Sequence, residues 1–538
     1  MLHHTSFLYL TEFISGISVM AVELGASRLL SPYFSSSQIV WTLVIGTIMI
    51  AMALGNIYGG RSADKDPDPD KLYTRLLIAG IWIALIPVLG KFVIAGISGL
   101  VIVTVNESYL VWCALASCLV LFIFPLFLLG TVTPSLVKYT VQSLSDSGRT
   151  VGYLGAFNTI GSIIGTFLPT FVTIPTVGTA VTFLLFAGLL LATALAYFLA
   201  LRKGLRKSGT AILIFLVSCA FGHTSSFAFW NQNLAYEGES LYNYLQVQDT
   251  PEEAILSTNV LFGVQSLWRK DGKLTGMYYD YAMAAPLMAD IPPGEPLKLL
   301  VLGNGSGTYA SQCSRYFAPA RIEGVEIDRK ITELAYRYFA MPQDVKVTTY
   351  DGRAYLHGTK DKYHVILVDA YQDISVPFQM ASVEFFKEVK DHLAPGGVMV
   401  INMNMRGQGE GSINAYLSDT IGSVFRYVYT VDVENGTNRE LFASDAPGMV
   451  QRLTKNTDAL ARKTSLGSVT PEQQKEFVTF QRVNAFHLQP YHKGNHILTD
   501  DRAPVEVLSM QALDGIIQEE VAGYKNVIRE KGIRGLLE

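Results

Sequence analysis

Cysteine and charge are both scarce in this chain. Its 538 residues hold four cysteines, Cys113, Cys118, Cys219 and Cys313. No two form a CxxC pair and three lie in apolar runs, so a disulfide framework or a cysteine zinc site is not expected. Small buried hydrophobes are the expected role. Asp, Glu, Lys and Arg make up 16% of the chain, against roughly a quarter in average soluble proteins. The net charge is −4, which gives no ground for a nucleic-acid partner. His487, His492 and His496 lack a carboxylate at ligand spacing, so no metal is expected. No basic segment precedes the apolar stretch from Phe7, so a cleavable signal peptide is not expected either.

The missing charge is missing mainly from one half. Residues 1–230 hold long apolar runs, whereas 231–538 have an ordinary globular mixture. A spanning helix needs about 20 mostly apolar residues. Runs near 7–30, 38–59, 73–97, 108–137, 151–173, 177–201 and 210–230 meet that length, and 91–105 is a candidate for one more short crossing. The expectation is a transmembrane domain of about seven or eight spans over 1–230. Lys and Arg after the second, fourth and sixth spans mark one side as cytoplasmic. Seven crossings would place the remainder outside, and an eighth would return it to the cytoplasm. Glu12 and Glu23 lie in the first span, where a carboxylate is either functional or an interhelical structural acid. Gly152, Gly155, Gly161 and Gly165 in the fifth span predict close helix packing.

Residues 231–290 read as a small β-region, with strands over 241–247, 254–258 and 263–269 and a hairpin turn at Asp271-Gly272. From 291 to 446 strands alternate with helices, the pattern of a Rossmann-like, doubly wound α/β sheet. Strands are expected over 299–302, 321–325, 345–350, 364–368 and 398–402, with two more over 424–433 and 440–444. Residues 447–538 form a helical extension, where Thr499 or Asp500 is expected to cap a terminal helix. In such sheets ligands lie at the carboxyl ends of the strands. Those ends carry Gly303-Asn304-Gly305-Ser306-Gly307, Glu326, Asp351-Gly352 and Asp369. The glycine turn lets the backbone approach a ligand and opens a helix N-terminus. Glu326 has the reach to take both ribose hydroxyls, Asp351 to accept from an adenine amino group, and Asp369 to face the reacting centre.

The segments SLYNYLQV, FGVQS, VLGNGSGT, GVEID, YDGRAYL, VILVDAY and LAPGGV resemble the spermidine synthase (polyamine aminopropyltransferase) family. More narrowly they are similar to its membrane-fused members. The resemblance covers roughly 238–405. It implies transfer of an aminopropyl group from decarboxylated S-adenosylmethionine to a polyamine, releasing 5′-methylthioadenosine. It also implies that Glu326, Asp351, Gly352 and Pro377 hold the nucleoside and that Asp369 is the general base. The family's loop aspartate is replaced by Ser306. Its Tyr-His-Glu triplet falls about at Met283, Ala284 and Ala285. Its second active-site aspartate falls at Gln372, or at Asp373 with a one-residue insertion. Its early Tyr-Gln pair reads Tyr242-Asn243, and Gln265 remains as a polar contact.

A polyamine needs several carboxylates to replace its hydration, and the loss of two or three of them here argues against tight polyamine binding. The expectation that follows is therefore a membrane-anchored enzyme that breaks the C–S bond of S-adenosylmethionine itself. This SAM lyase reaction is intramolecular and gives homoserine lactone with methylthioadenosine. Aminopropyl transfer is the alternative, and a nucleoside-binding sensor or transporter without turnover is a further one. No cofactor beyond the sulfonium nucleotide substrate is expected. The expected surroundings are a lipid bilayer, as an integral protein of a bacterial inner membrane with the catalytic part favoured cytoplasmic. A homo-oligomer is left open.

Overall fold

The computed structural model describes residues 5–105, 108–141, 147–224, 226–231, 233–260, 263–371, 375–404, 409, 411–434, 436–464 and 466–531. The chain divides into two compact units. One is Met1–Gln232 with Gly238–Tyr244 and Asn259–Leu261; the other is Asn233–Glu237, Leu245–Thr258 and Phe262–Glu538.

Among the described residues of the first unit, six helices are long and apolar enough to cross a membrane, by length and composition. They are Thr5–Phe34, Gln38–Lys65, Pro69–Ile102, Tyr109–Thr140, Ser147–Ala200 and Leu205–Gly222. The stretch at 91–105 adds no separate segment, because it continues the helix that starts at Pro69. The 54-residue run Ser147–Ala200 covers two of the expected spans, and its backbone leaves helical geometry at Gly178, where φ is +83°. A side-chain carbon on Gly161 or Gly165 would collide with the backbone of Phe13 or Ile17, so these glycines set the separation of two helices. Gly152 and Gly155 do not share that role, since a carbon added to either meets open space. Glu12 is fully buried and accepts from the Thr133 hydroxyl at 2.6 Å and the Asn158 amide at 2.8 Å. It is tied between helices, as a structural acid would be.

The second unit is built on two sheets. The smaller has the order β1-β2-β3-β4, from Leu234–Glu239, Tyr244–Asp249, Glu253–Ser257 and Ser266–Arg269. Leu245, Val247, Ala254 and Leu256 on this sheet pack against Ile331, Leu334 and Phe339. Strand β1 was not expected, because Gly238 and two glutamates lower its strand propensity. Asp271-Gly272 makes a turn, with Gly272 N–H donating to the Arg269 carbonyl at 3.1 Å, but no strand follows it. Two short helices, Tyr278–Ala282 and Ala285–Met288, follow instead. They are too short to show a helical period in the sequence.

The larger sheet contains β5 (Leu297–Leu302), β6 (Ala320–Glu326), β7 (Lys346–Thr349), β8 (Tyr363–Val368), β9 (Leu393–Met403), β10 (Tyr427–Asp432), β11 (Arg439–Ser444) and β12 (Gln489–Pro490). Its order is β12-β10-β11-β9-β8-β5-β6-β7. Strands β5 to β9 pair parallel, and β10, β11 and β12 extend the edge antiparallel. The continuous apolar run in β5 fits a strand covered on both faces. Leu299 and Val301 join the core on one face, Leu300 and Leu302 the core on the other. The strand order reverses at β5, with β6 and β7 on one side and β8 and β9 on the other, which puts the ligand crevice at that point.

Asp500 does not cap the terminal helix, which begins at Val505. It accepts two hydrogen bonds from the Arg353 guanidinium, at 2.7 and 2.8 Å, and one from the Ser382 hydroxyl at 2.5 Å. Arg353 also reaches Glu388 at 3.2 Å and the Gln379 carbonyl at 2.9 Å, with only 19% of its side chain exposed. A bidentate, partly desolvated pair of this kind is worth more than a surface ion pair. Asp500→Ala is therefore expected to destabilise the protein by about 1–3 kcal/mol, the usual cost of stranding a charged partner. Thermal unfolding of the detergent-solubilised full chain measures this, and an unchanged midpoint would show the clamp to be idle.

Candidate active site

The tips of β5, β6 and β8 are laced together by backbone and carboxylate. Gly303 has φ +86°, and a side chain there would strike the Asp369 carbonyl, so glycine is required at this crossing. Asp369 N–H donates to the Leu302 carbonyl at 2.8 Å. Gly305 N–H donates to Glu326 Oε2 at 2.9 Å, and Asp328 N–H donates to Glu326 Oε1 at 3.0 Å. Each Glu326 oxygen retains a second lone pair for a hydroxyl donor. Glu326 is 7% exposed.

Asp369 ends β8 and has donors on both oxygens. The Tyr278 hydroxyl donates to Oδ2 at 2.5 Å, and the Asn402 amide donates to Oδ1 at 2.9 Å. Asn402 is fixed in turn by the Asn438 amide, which donates to its Oδ1 at 2.8 Å. Burial pushes the Asp369 carboxyl up to about 7, against the lowering effect of Tyr278 and Asn402, with the nearby Glu326 adding to the rise. Burial also pushes Glu326 up to about 7, and the amides of Asp328 and Gly305 hold it from going higher.

The other expected site residues fall at different places. Asp351 caps the helix Gly352–Gly358, accepting from Ala354 N–H at 2.8 Å. Gly352 lies under the Met380 side chain, and Met380 N–H donates to the Pro377 carbonyl at 2.8 Å, so the Pro377 turn packs at the β7 tip. Ser306 is 1% exposed, and its hydroxyl is 2.9 Å from that of Thr308. Its N–H reaches Ser266 Oγ at 3.5 Å, and Thr308 in turn donates to the Leu267 carbonyl of β4 at 3.0 Å, so the loop is tied to that strand. Gln265 is half-buried directly before that strand. Tyr242 and Asn243 belong to the first unit, in a turn where both N–H groups donate to Ser240 Oγ at 3.1 and 2.9 Å. Gln372 and Asp373 lie outside the described residues.

Sequence reasoning missed Tyr278 and Asn402, the two groups that grip Asp369. It also set the Tyr-His-Glu triplet at Met283, Ala284 and Ala285, which are fully buried in apolar core. Tyr278-Tyr279-Asp280, shortly before, has the same order of aromatic, aromatic and acid, and its first member touches Asp369. That order was the available signal. Asp280 is buried and accepts from Gln312 at 2.7 Å, Gly276 N–H at 2.6 Å and Thr275 at 3.1 Å. Burial pushes it up to about 6 despite these donors. Among the described residues, no group of three or more His, Cys, Asp or Glu side chains is arranged to hold a metal ion.

Comparison with known proteins bears on the same segment. The spermine/spermidine synthase domain family matches residues 277–431. A probable polyamine aminopropyl transferase of Bifidobacterium longum (strain NCC 2705) is 49% identical over 352 residues, covering 64% of this chain and 78% of that protein. The polyamine aminopropyltransferase of Vibrio vulnificus (strain CMCP6) is 24% identical over 306 residues, covering 55% of this chain and 98% of that protein. Among solved structures, a probable spermidine synthase from Corynebacterium glutamicum ATCC 13032 matches at 20% identity and a TM-score of 0.34, over 48% of this chain and 96% of that one.

If Glu326 holds a ribose, two charge-assisted hydrogen bonds depend on it. Glu326→Ala is then expected to bind methylthioadenosine about 10–100-fold more weakly by calorimetry, with an unchanged circular dichroism spectrum. Equal affinity in a folded variant would remove the nucleoside from this site.

Proposed function

Because the chain belongs to the spermidine synthase (polyamine aminopropyltransferase) family, we propose that it transfers an aminopropyl group from decarboxylated S-adenosylmethionine to a polyamine. The observation that carries this reading is the Asp369 carboxylate held between Tyr278 and Asn402. A base needs orientation and a pKa near the working pH. Asp369 has two fixed donors and a pKa raised by burial to about 7.

The chemistry follows from these groups. One amine of the acceptor loses its proton to Asp369 and attacks the methylene carbon beside the sulfonium. The new C–N bond forms as the C–S bond breaks, and the electron pair goes to sulfur. Methylthioadenosine leaves as a neutral thioether. Glu326 and Asp351 are the groups assigned to ribose and adenine, so the nucleoside stays fixed while the aminopropyl chain reacts. Burial of the strand tips keeps competing water away from the sulfonium.

This order reverses the one expected from sequence alone, where SAM lysis stood first. A lyase that uses the substrate's own carboxylate as nucleophile has no need of an oriented base. Tyr278-Tyr279-Asp280 supplies the aromatic-acid triplet that the Met283–Ala285 register had taken as lost. The six long apolar helices fit a membrane anchor, and we place the catalytic unit on the cytoplasmic side, where the sulfonium nucleotide is made.

Two measurements test the reading. Purified full-length protein is incubated with decarboxylated S-adenosylmethionine plus putrescine, and separately with S-adenosylmethionine alone, and methylthioadenosine is followed. Product is expected from the first mixture only; product from the second alone would establish the lyase instead. The pH profile is the second measurement. Asp369 must be ionised to accept a proton, so kcat should fall as pH drops below about 7. Tyr278→Phe removes a donor that stabilises the ionised form, so the midpoint should move to higher pH, by about one unit, together with a lower kcat. A midpoint unmoved in Tyr278→Phe would disconnect this hydroxyl from the base.

A further inference from the structure

One acid close to this site is used by nothing described so far. Strand β11 reads Arg439-Glu440-Leu441-Phe442-Ala443-Ser444. Leu441 and Ala443 join the core on one face, and Phe442 joins the core on the other. Side chains alternate along a strand, so Glu440 shares the face of Phe442, in a position where the pattern calls for an apolar residue. Glu440 is fully buried. Among the described residues, neither of its carboxylate oxygens has a hydrogen-bond partner. The neighbouring cation, Arg439, is committed to Asp432 at 2.6 Å.

Register places this acid beside the reaction centre. Glu440 pairs with Asn402 on β9 and with Val431 on β10. Asn402 is the residue whose amide grips Asp369. Glu440 is therefore two strands from the one that ends at the base, with Asn402 on the strand between, on the face covered by the helix that carries Tyr278. Burial, and then the charge of Asp369, push its carboxyl well above the ordinary range. A buried acid without a partner costs stability, and such a cost persists where function maintains it.

We propose that Glu440 is the carboxylate that receives a second ammonium group of the acceptor, and so selects a polyamine over a monoamine. The inference rests on the aminopropyl-transfer reading above. A diamine enters with two cationic ends. One end gives its proton to Asp369 and attacks; the other stays protonated and needs an anion away from water. In this chain the loop aspartate of the family is Ser306, whose hydroxyl is turned toward Thr308. Glu440 supplies a carboxylate from a different strand, and the incoming ammonium supplies the partner that the carboxylate lacks.

The test is the acceptor preference of the full-length enzyme. With decarboxylated S-adenosylmethionine as donor, kcat/KM is measured for putrescine and for butylamine, the same four-carbon chain with one amine. The parent enzyme should favour putrescine at least ten-fold. In Glu440→Gln the putrescine KM should rise at least ten-fold and the preference should collapse toward unity. The KM for the donor and the affinity for methylthioadenosine should stay within two-fold, which also reports that the variant is folded. Glu440→Asp, which keeps the charge, should retain most of the preference. An active parent enzyme with an unchanged preference in Glu440→Gln overturns this inference alone. A parent enzyme that aminopropylates neither amine overturns it together with the reading it rests on.

Discussion

Two carboxylates stand out of water at the tips of strands flanking β5, and the catalytic unit is organised around keeping them there. A carboxylate in such surroundings must have donors or give up its charge. Glu326 is supplied by two backbone N–H groups, one from the glycine loop and one from the start of the next helix. Asp369 is supplied by a phenol and an amide from side chains far apart in sequence. The glycine turn, the crossover between β5 and β6, the short helix at Tyr278 and the tip of β9 are all needed to deliver these donors. The result is a pair of buried acids whose carboxyls are raised from the ordinary range to about 7.

Where the sequence was legible, a local pattern coincided with a tertiary one. The β5 and β8 strands are continuous apolar runs, and in a parallel sheet both faces are covered, so run and strand coincide. The glycine turn after β5 and Asp369 after β8 were visible because strand-end positions follow directly from the runs. Donors that come from elsewhere were not visible. Tyr278 sits in a five-residue helix with no readable period, and the motif that names it was placed too far along the chain. Asn402 ends a strand that was expected, but nothing local shows that its amide points at Asp369. Ser306 lies in the expected loop, yet nothing in the loop itself shows that its hydroxyl meets that of Thr308.

The helical unit shows the same division. The long apolar runs were plain, because spanning length is a property of composition alone. Which glycines touch a neighbour was not, because that depends on which face of a helix meets another. Gly161 and Gly165 meet the first helix and Gly152 and Gly155 do not, though all four lie in one run. Glu12 likewise takes its meaning from Thr133 and Asn158, which lie on distant segments.

Asp351, Gly352 and Arg353 are consecutive, yet they serve segments far apart in the chain. The first caps its helix at the adenine end of the proposed pocket, and the third grips Asp500 in the tail. A protease cut or truncation ahead of Asp500 would release that guanidinium one turn from the cap. The C-terminal tail thus works as a remote brace, and trimming it while engineering a shorter enzyme would unclamp the first turn of the helix that Asp351 caps.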